Sequence, residues 1–307
     1  MQLDLFHDTP FTLRVTIEDA MRIFVDNYWR HLPFGKKSKA YIQKILVFFK
    51  GHYLDTISKA DVERMRRHLK ESGYSDSTIN KAHMILSRLY TKWDEYKEGR
   101  FLNGTDLSRV VLPAKNPAGQ VPRVKEKPRL MLVSKVMKEH LCHVAETLMM
   151  DKDLSEIIDM LWWSQQRQGD VFKMTDKNVD LHNRTICGTQ NKLITTRNPS
   201  GHPYKVMIPA DRFPMIKRRV ESTPSGKPIF KDTNLQKRWG ELRRLAKMTN
   251  IQMRDFRGGS TSELLDENTD LETLRRKVGW VNYDMIKVYD KRPDERILRA
   301  AEKLVEV

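Results

Sequence analysis

The sequence predicts a mainly α protein with a small β-sheet, built as an all-helical N-terminal domain followed by an α+β domain. Three observations predict this. The first hundred residues carry four successive segments whose apolar positions recur every three or four residues. A stretch rich in proline, glycine and basic residues follows at 103–130. Beyond it, helical periodicity is interrupted by two or three short β-like runs and then resumes.

The first helix starts at Thr16, an N-cap followed by Glu18 and Asp19, with Ile17, Ala20, Met21, Phe24, Val25 and Tyr28 on one face. A second covers roughly 37–49, with Tyr41, Ile45, Phe48 and Phe49 inward. Ser58 caps the third and Gly73 stops it. Ser75 or Ser77 opens the fourth, where Ile79, Met84, Ile85, Leu89 and Trp93 share a side. Opposite these stripes lie Lys36, Lys37, Lys39, Arg64, Arg66, Arg67, Lys81, Arg88 and Lys92. Some are simply solvated, but a basic all-helical module suits a groove-and-phosphate binder, and Lys36, Lys37, Lys39, Lys81, Arg88 and Lys92 are the DNA-binding candidates.

Residues 103–130 hold four prolines and two glycines and read as a linker with little structure of its own. The boundaries expected are a tail at 1–15, a helical domain at 16–118, a linker at 119–129, a second domain at 130–293 and a C-terminal amphipathic segment at 294–307. In the second domain helices are expected at 134–148 and 153–166, strands around 173–178, 185–188 and 204–208, and helices at about 210–221, 233–249, 254–265, 270–278 and 282–290. The last segment places Ile297, Leu298, Ala301, Leu304 and Val305 at helical spacing, as for docking on its own domain or on a neighbouring subunit.

Charge narrows the function. The chain of 307 residues has 56 Lys+Arg against 40 Asp+Glu, a net charge of +16. The excess is spread: residues 1–129 hold 24 bases and 15 acids, and the remainder 32 and 25. A cation of this size favours a polyanion, because neutralised phosphates release condensed counterions. No run approaches the ~20 apolar residues of a membrane span. The N-terminus carries acids and no apolar run, so a cytoplasmic location is expected. Cys142 and Cys187 are isolated and expected to be reduced. No Walker loop, HExxH, paired-cysteine pattern or acidic metal cluster is present, so no cofactor is expected.

Four stretches carry chemistry. WWSQQRQGDVFKM places Arg167 at the end of an apolar helix, before Gly169 and Asp170. GTQNKL places Lys192 between two strands. MRDFRGGSTSEL puts Arg254 and Arg257 on one helical face, beside Gly258 and Gly259, which allow a close backbone approach. VGWVNYDMIKVYDK holds Tyr283 and Tyr289, and Tyr289 follows Met285 and Ile286 at the spacing of a core residue. Singly, each has a plain reading: a surface ion pair, a hairpin lysine, a solvated arginine pair, a packed tyrosine.

Together and in order, they resemble the tyrosine recombinases, the phage-integrase family of site-specific DNA recombinases. RQGDV supplies an arginine box with Arg167 and Asp170; Lys192 follows 25 residues later; RDFRGG supplies Arg257; and GW supplies Trp280, with Tyr289 nine residues beyond. The first half is similar to the family's core-binding domain, so the resemblance covers roughly 16–290. It implies an α+β recombinase catalytic domain and DNA strand exchange through a covalent 3′-phosphotyrosine, with integrase activity. Tyr289 is then the nucleophile, Arg167 and Arg257 hold the phosphate, Lys192 is the general acid, Trp280 donates its indole N–H or packs, and Asp170 orients Arg167. The implied partners are double-stranded DNA recombination sites, further copies forming a tetramer on DNA, and accessory DNA-bending proteins. Three departures stand out. Arg254 occupies the usual His position, Gln165 and Gln166 replace a usual Thr-Gly, and Lys205 on the following strand competes with Lys192. The short N-terminus leaves no room for the arm-binding domain of some integrases, which implies either a two-domain form or a shortened chain. A non-catalytic DNA-binding relative and a type IB-like topoisomerase are the alternatives.

Overall fold

A computed structural model describes residues 14–27, 35–97, 101–102, 105–106, 110–127, 129–190, 201–231 and 233–297. The chain divides into two compact units, Met1–Pro128 and Arg129–Val307.

The first unit is built on four helices: α1 (Ile17–Asn27), α2 (Gly35–Phe49), α3 (Lys59–Glu71) and α4 (Asp76–Lys97). The expected starts are present. Thr16 Oγ1 accepts from the Asp19 amide at 3.2 Å, and Ser58 and Asp61 form a reciprocal capping box. Gly73 ends α3 at φ +79°, a left-handed turn open to glycine at no steric cost. Helix α4 packs against the other three, around a core that includes Ile17, Phe24, Ile45, Phe49, Met65, Ile85, Leu89 and Trp93.

The linker reading is corrected here. Strands β1 (Phe101–Leu102) and β2 (Thr105–Asp106) pair antiparallel. Val110, Ala118 and Val121 are buried in the same core as the helices. His83 Nε2 lies 2.6 Å from the Ala118 carbonyl, Arg66 donates to the Pro122 carbonyl at 2.7 Å, and Asn80 both accepts from and donates to the Val124 backbone. Proline and glycine removed regular structure from this segment but left its apolar side chains free to dock.

The second unit contains α5 (Lys135–Thr147), α6 (Lys152–Ser164), α7 (Gln168–Val171), β3 (Val179–Asp180), β4 (Thr185–Gln190), β5 (His202–Met207), α8 (Phe213–Ser222), α9 (Leu235–Leu245), α10 (Asp255–Asp266), α11 (Leu271–Val278) and α12 (Ile286–Tyr289). The sheet is antiparallel in the order β3-β4-β5, with Ile186 opposite Val206 and Gln190 opposite His202. The strand expected at 173–178 is not formed: Asp176–Asn178 is a 3-10 turn held by a Thr175–Asn178 capping box, and only Val179–Asp180 pair with β4. The helix expected at 282–290 divides into a 3-10 turn, Tyr283–Met285, and the single turn α12.

Ion pairs take up part of the positive charge. Arg212 grips Asp159, Arg219 bridges Asp153 and Glu156, and Arg238 bridges Asp151 and Asp153, tying α8 and α9 to the acidic side of α6. These bases are structural. Among the described residues, no helix is long and apolar enough to cross a membrane.

Candidate active site

Helix α10 is the axis of the site. Its residues Asp255–Ser262 are all buried, although most are small or polar. Smallness is what lets neighbours close in. A Cβ on Gly259 would come within 3.0 Å of Trp162 and nearer still to the Val133 carbonyl oxygen. The close approach foreseen at Gly258–Gly259 is therefore made by this chain's own backbone at Gly259. The helix start is fixed by Asp255, which accepts from the Gln252 amide at 2.8 Å and from Arg129 at 2.6 and 2.8 Å.

Arg257 projects from this helix and is 4% exposed. Its Nη2 donates to the Val278 carbonyl at 3.4 Å, while its Nε and Nη1 are buried with no hydrogen-bond partner among the described residues. Burial pushes its guanidinium down to about 10; Tyr289 and Asp170 act upward against this and Arg167 acts downward with it. It remains a cation at neutral pH, held beside a second one.

That second cation, Arg167, arrives from a different element. Helix α6 ends at Ser164, and Gln165 turns the chain through a left-handed φ of 57° so that Arg167 stands at the N-cap of α7. Gln165 Nε2 reaches Thr261 of α10 at 3.5 Å, and Gln166 Nε2 donates to the Lys277 carbonyl at 3.1 Å. The two glutamines are thus buried struts from this turn to α10 and to the end of α11. Asp170 is buried, and its amide donates to the Arg167 carbonyl at 2.8 Å.

Tyr289 is the last residue of α12. Its half-buried ring stacks on Trp280, with centroids 5.5 Å apart and planes 9° from parallel, and the Arg257 guanidinium lies 4.7 Å from the ring centroid. Trp280 is 1% exposed and its Nε1 has no partner among the described residues. The chain leaving Tyr289 is bound back to α10 by the Lys291 amide, which donates to Ser262 Oγ at 2.9 Å. Tyr283, by contrast, is exposed and donates its hydroxyl to Glu272 at 2.7 Å; that hydrogen bond raises its phenol above the ordinary value.

The structure brings together Tyr289, Trp280, Arg257 and Arg167, with Asp170 near them. Arg254 is exposed at the start of α10, with no ion pair among the described residues. Lys192 lies outside the described residues, as do the side chains of Lys36 and Lys37. Lys205 is exposed on β5 opposite Cys187. In the first unit Lys39, Lys81 and Arg88 are exposed and Lys92 is half-buried; Lys81 also stands 5.8 Å over the Tyr41 ring. Arg64 is paired with Asp61. Of the C-terminal segment only 294–297 is described; it is helical, and Arg296 pairs with Asp266 of α10.

One residue of the cluster was not foreseen. Gln190, at the end of β4, bonds to Arg167 and to the Val278 carbonyl. Its place two positions before Lys192, in the motif read only for the lysine, was the available signal.

No family model and no curated protein matches the sequence. Solved structures do match the fold. The Tn1549 transposon integrase, in complex with a circular intermediate DNA, is similar over 93% of this chain and 98% of its own, with a TM-score of 0.68 and 12% identity. A lambda integrase dimer bound to a COC′ core site is similar over 94% and 82%, with a TM-score of 0.69 and 12% identity. A lambda integrase tetramer bound to a Holliday junction is similar over 92% and 78%, with a TM-score of 0.66 and 14% identity. The chain thus has the fold of the Tn1549 and lambda integrases.

Proposed function

We propose that the chain is a site-specific DNA recombinase that cuts and rejoins DNA through a covalent 3′-phosphotyrosine at Tyr289. The observation that carries this reading is the placement of Arg257: buried, charged, 4.7 Å from the Tyr289 ring, and with two N–H-bearing nitrogens unpartnered. A buried cation with unused donors is costly unless an anion completes it. A phosphodiester suits the requirement, because guanidinium matches phosphate oxygens bidentately.

In this reading Tyr289 Oη gives up its proton to water or to the phosphate and attacks phosphorus, and the P–O5′ bond breaks. Arg167 and Arg257 hold the non-bridging oxygens and stabilise the charge that accumulates in the transition state. Lys192, which lies in the sequence between β4 and β5, protonates the departing 5′ oxygen. Attack by a 5′ hydroxyl reverses the step and reseals a strand. The phosphodiester energy is kept in the tyrosyl link, so the exchange needs no ATP. Trp280 braces the phenol from one face, and Asp170 steadies the turn carrying Arg167. Arg254 offers only N–H donors and no acceptor; its exposed position suits a donor to DNA. The exposed bases of the first unit follow the DNA backbone. The DNA-bound states of the Tn1549 and lambda integrases, and the lambda tetramer, support DNA as substrate and assembly of four copies on two sites. Accessory DNA-bending proteins and a cytoplasmic location belong to the same proposal.

The test is a set of nicked suicide duplexes drawn from the DNA flanking the gene. The expected result is an adduct that survives denaturation, is absent in Tyr289→Phe, and maps to Tyr289 by mass spectrometry. Binding with no adduct points to a non-catalytic DNA-binding protein. Site-independent relaxation of supercoiled plasmid points to a topoisomerase.

A further inference from the structure

Gln190 is fully buried. Its Oε1 accepts from Arg167 Nη1, and its Nε2 donates to the Val278 carbonyl. That same carbonyl accepts from Arg257 Nη2 at 3.4 Å. The two arginines are therefore joined through one side-chain amide and one peptide oxygen.

The surroundings are shaped to this side chain. Gly279 has φ +72°, and a Cβ there would stand 2.6 Å from Gln190 Nε2 and 3.1 Å from Tyr204 Cβ. A Cβ on Gly188 would meet the Tyr204 hydroxyl at 2.6 Å, so the bare backbone of β4 lets Tyr204 lie over it. Gln190, Gly188 and Ile186 alternate onto one face of β4, opposite His202, Tyr204 and Val206 of β5. Two glycines and a tyrosine thus form the slot that Gln190 fills.

We propose that Gln190 is a positioning residue, a neutral amide that sets the aim of Arg167 against Arg257 without neutralising either. The residue type follows from the contacts. One end must accept from a guanidinium and the other must donate to a carbonyl; a glutamine amide does both without a charge, whereas an ionised glutamate only accepts. A glutamate would hold Arg167 more strongly, through a charge-assisted bond, but would place a negative charge where the phosphate is to bind. The purpose of the device rests on the phosphotyrosine reading above; its geometry does not.

The test uses the full chain with Gln190→Met, which keeps length and loses both bonds, and Gln190→Glu. The Arg167 guanidinium signals of ¹⁵N-arginine protein, assigned by their loss in Arg167→Lys, report positioning without any activity. They are expected to exchange slowly in the wild type and to average out in Gln190→Met. Unchanged signals overturn the proposal. On suicide DNA at saturation, Gln190→Met should cleave about 100-fold more slowly, as for a misaimed catalytic group, with Kd changed less than about threefold. In an Arg167→Lys background the same substitution should cost little more, because both act through one group. Wild-type cleavage by Gln190→Met, or a fully additive loss with Arg167→Lys, overturns the proposal. Gln190→Glu should fold and bind DNA yet cleave slowly, and wild-type cleavage there removes the argument for neutrality. If the wild type forms no adduct, the recombinase reading fails while the guanidinium signals still decide the positioning.

Discussion

Gly259→Ala should destabilise the second unit although the residue lies inside a helix, where alanine is intrinsically better than glycine by about 1 kcal/mol. The added methyl would come closer than 3.0 Å to the Val133 carbonyl oxygen and within 3.0 Å of Trp162. The first obstacle is backbone and cannot rotate away. Overpacking against a backbone atom takes the upper part of the usual range, about 2–3 kcal/mol, which exceeds the helix gain and leaves a net loss of about 1–2 kcal/mol. For a unit of this size that lowers Tm by about 2–8 °C. The adjacent glycine is the internal control. A Cβ on Gly258 would lie 3.3 Å from Lys291 Cγ, a flexible side chain, and 3.4 Å from the Tyr289 carbonyl oxygen. Gly258→Ala should therefore keep or raise stability, by up to about 1 kcal/mol. Urea melts followed by tryptophan fluorescence, with Trp162 at the contact, measure both. Equal stability of the two variants, or a larger loss at Gly258, would refute the close approach of α10 to Val133 that sets the depth of Arg257.

Three further outcomes are expected. Tyr289→Phe should abolish adduct formation and Tyr283→Phe should leave it intact, because the Tyr283 hydroxyl is turned to Glu272 at 2.7 Å; loss of cleavage in Tyr283→Phe counts against the assignment of the nucleophile. Arg254→Ala should lose much cleavage with Tm unchanged, since Arg254 is exposed and makes no ion pair among the described residues, and Arg254→His should keep substantial activity; wild-type strand cleavage in the alanine variant refutes a role as donor. Burial holds His83 below its ordinary value, against the upward effect of the Ala118 carbonyl and with help from Arg66 and Arg123, so the fold keeps it neutral. The unfolded chain protonates His83 near pH 6.5, so its contribution is full above that pH and is lost as pH falls toward the depressed folded value. His83→Asn should flatten the stability of the first unit between about pH 7 and 5; an unchanged slope refutes this.

Periodicity gave the long elements because their apolar faces are local. The capping box at Ser58–Asp61 and the stop at Gly73 were readable for the same reason. Met285 and Ile286 do pack beside Tyr289 around Trp280, as their spacing suggests, but the same spacing made a one-turn helix look twice its length. What failed depended on distant partners. Nothing near Val110, Ala118 or Val121 tells that they share a core with the helices upstream. Gln190 is silent for the same reason: its two bonds reach Arg167 and Val278, 23 and 88 residues away. Arg257 was found by its motif, whereas its burial, which gives its unused donors their force, belongs to the assembled fold.

The Val278 carbonyl has a consequence for how such a centre is inherited. The atom on which Gln190 and Arg257 converge belongs to the main chain, so no substitution at position 278 deletes it. The side chain there is free to answer only to the core around Trp280. What mutation can reach is the direction in which that oxygen points, and this is governed one residue later by a glycine in a left-handed turn. Gly279→Ala would strain that turn and crowd Gln190 at once. The hub of the cluster is thus encoded less by the residue that carries it than by the glycine that follows.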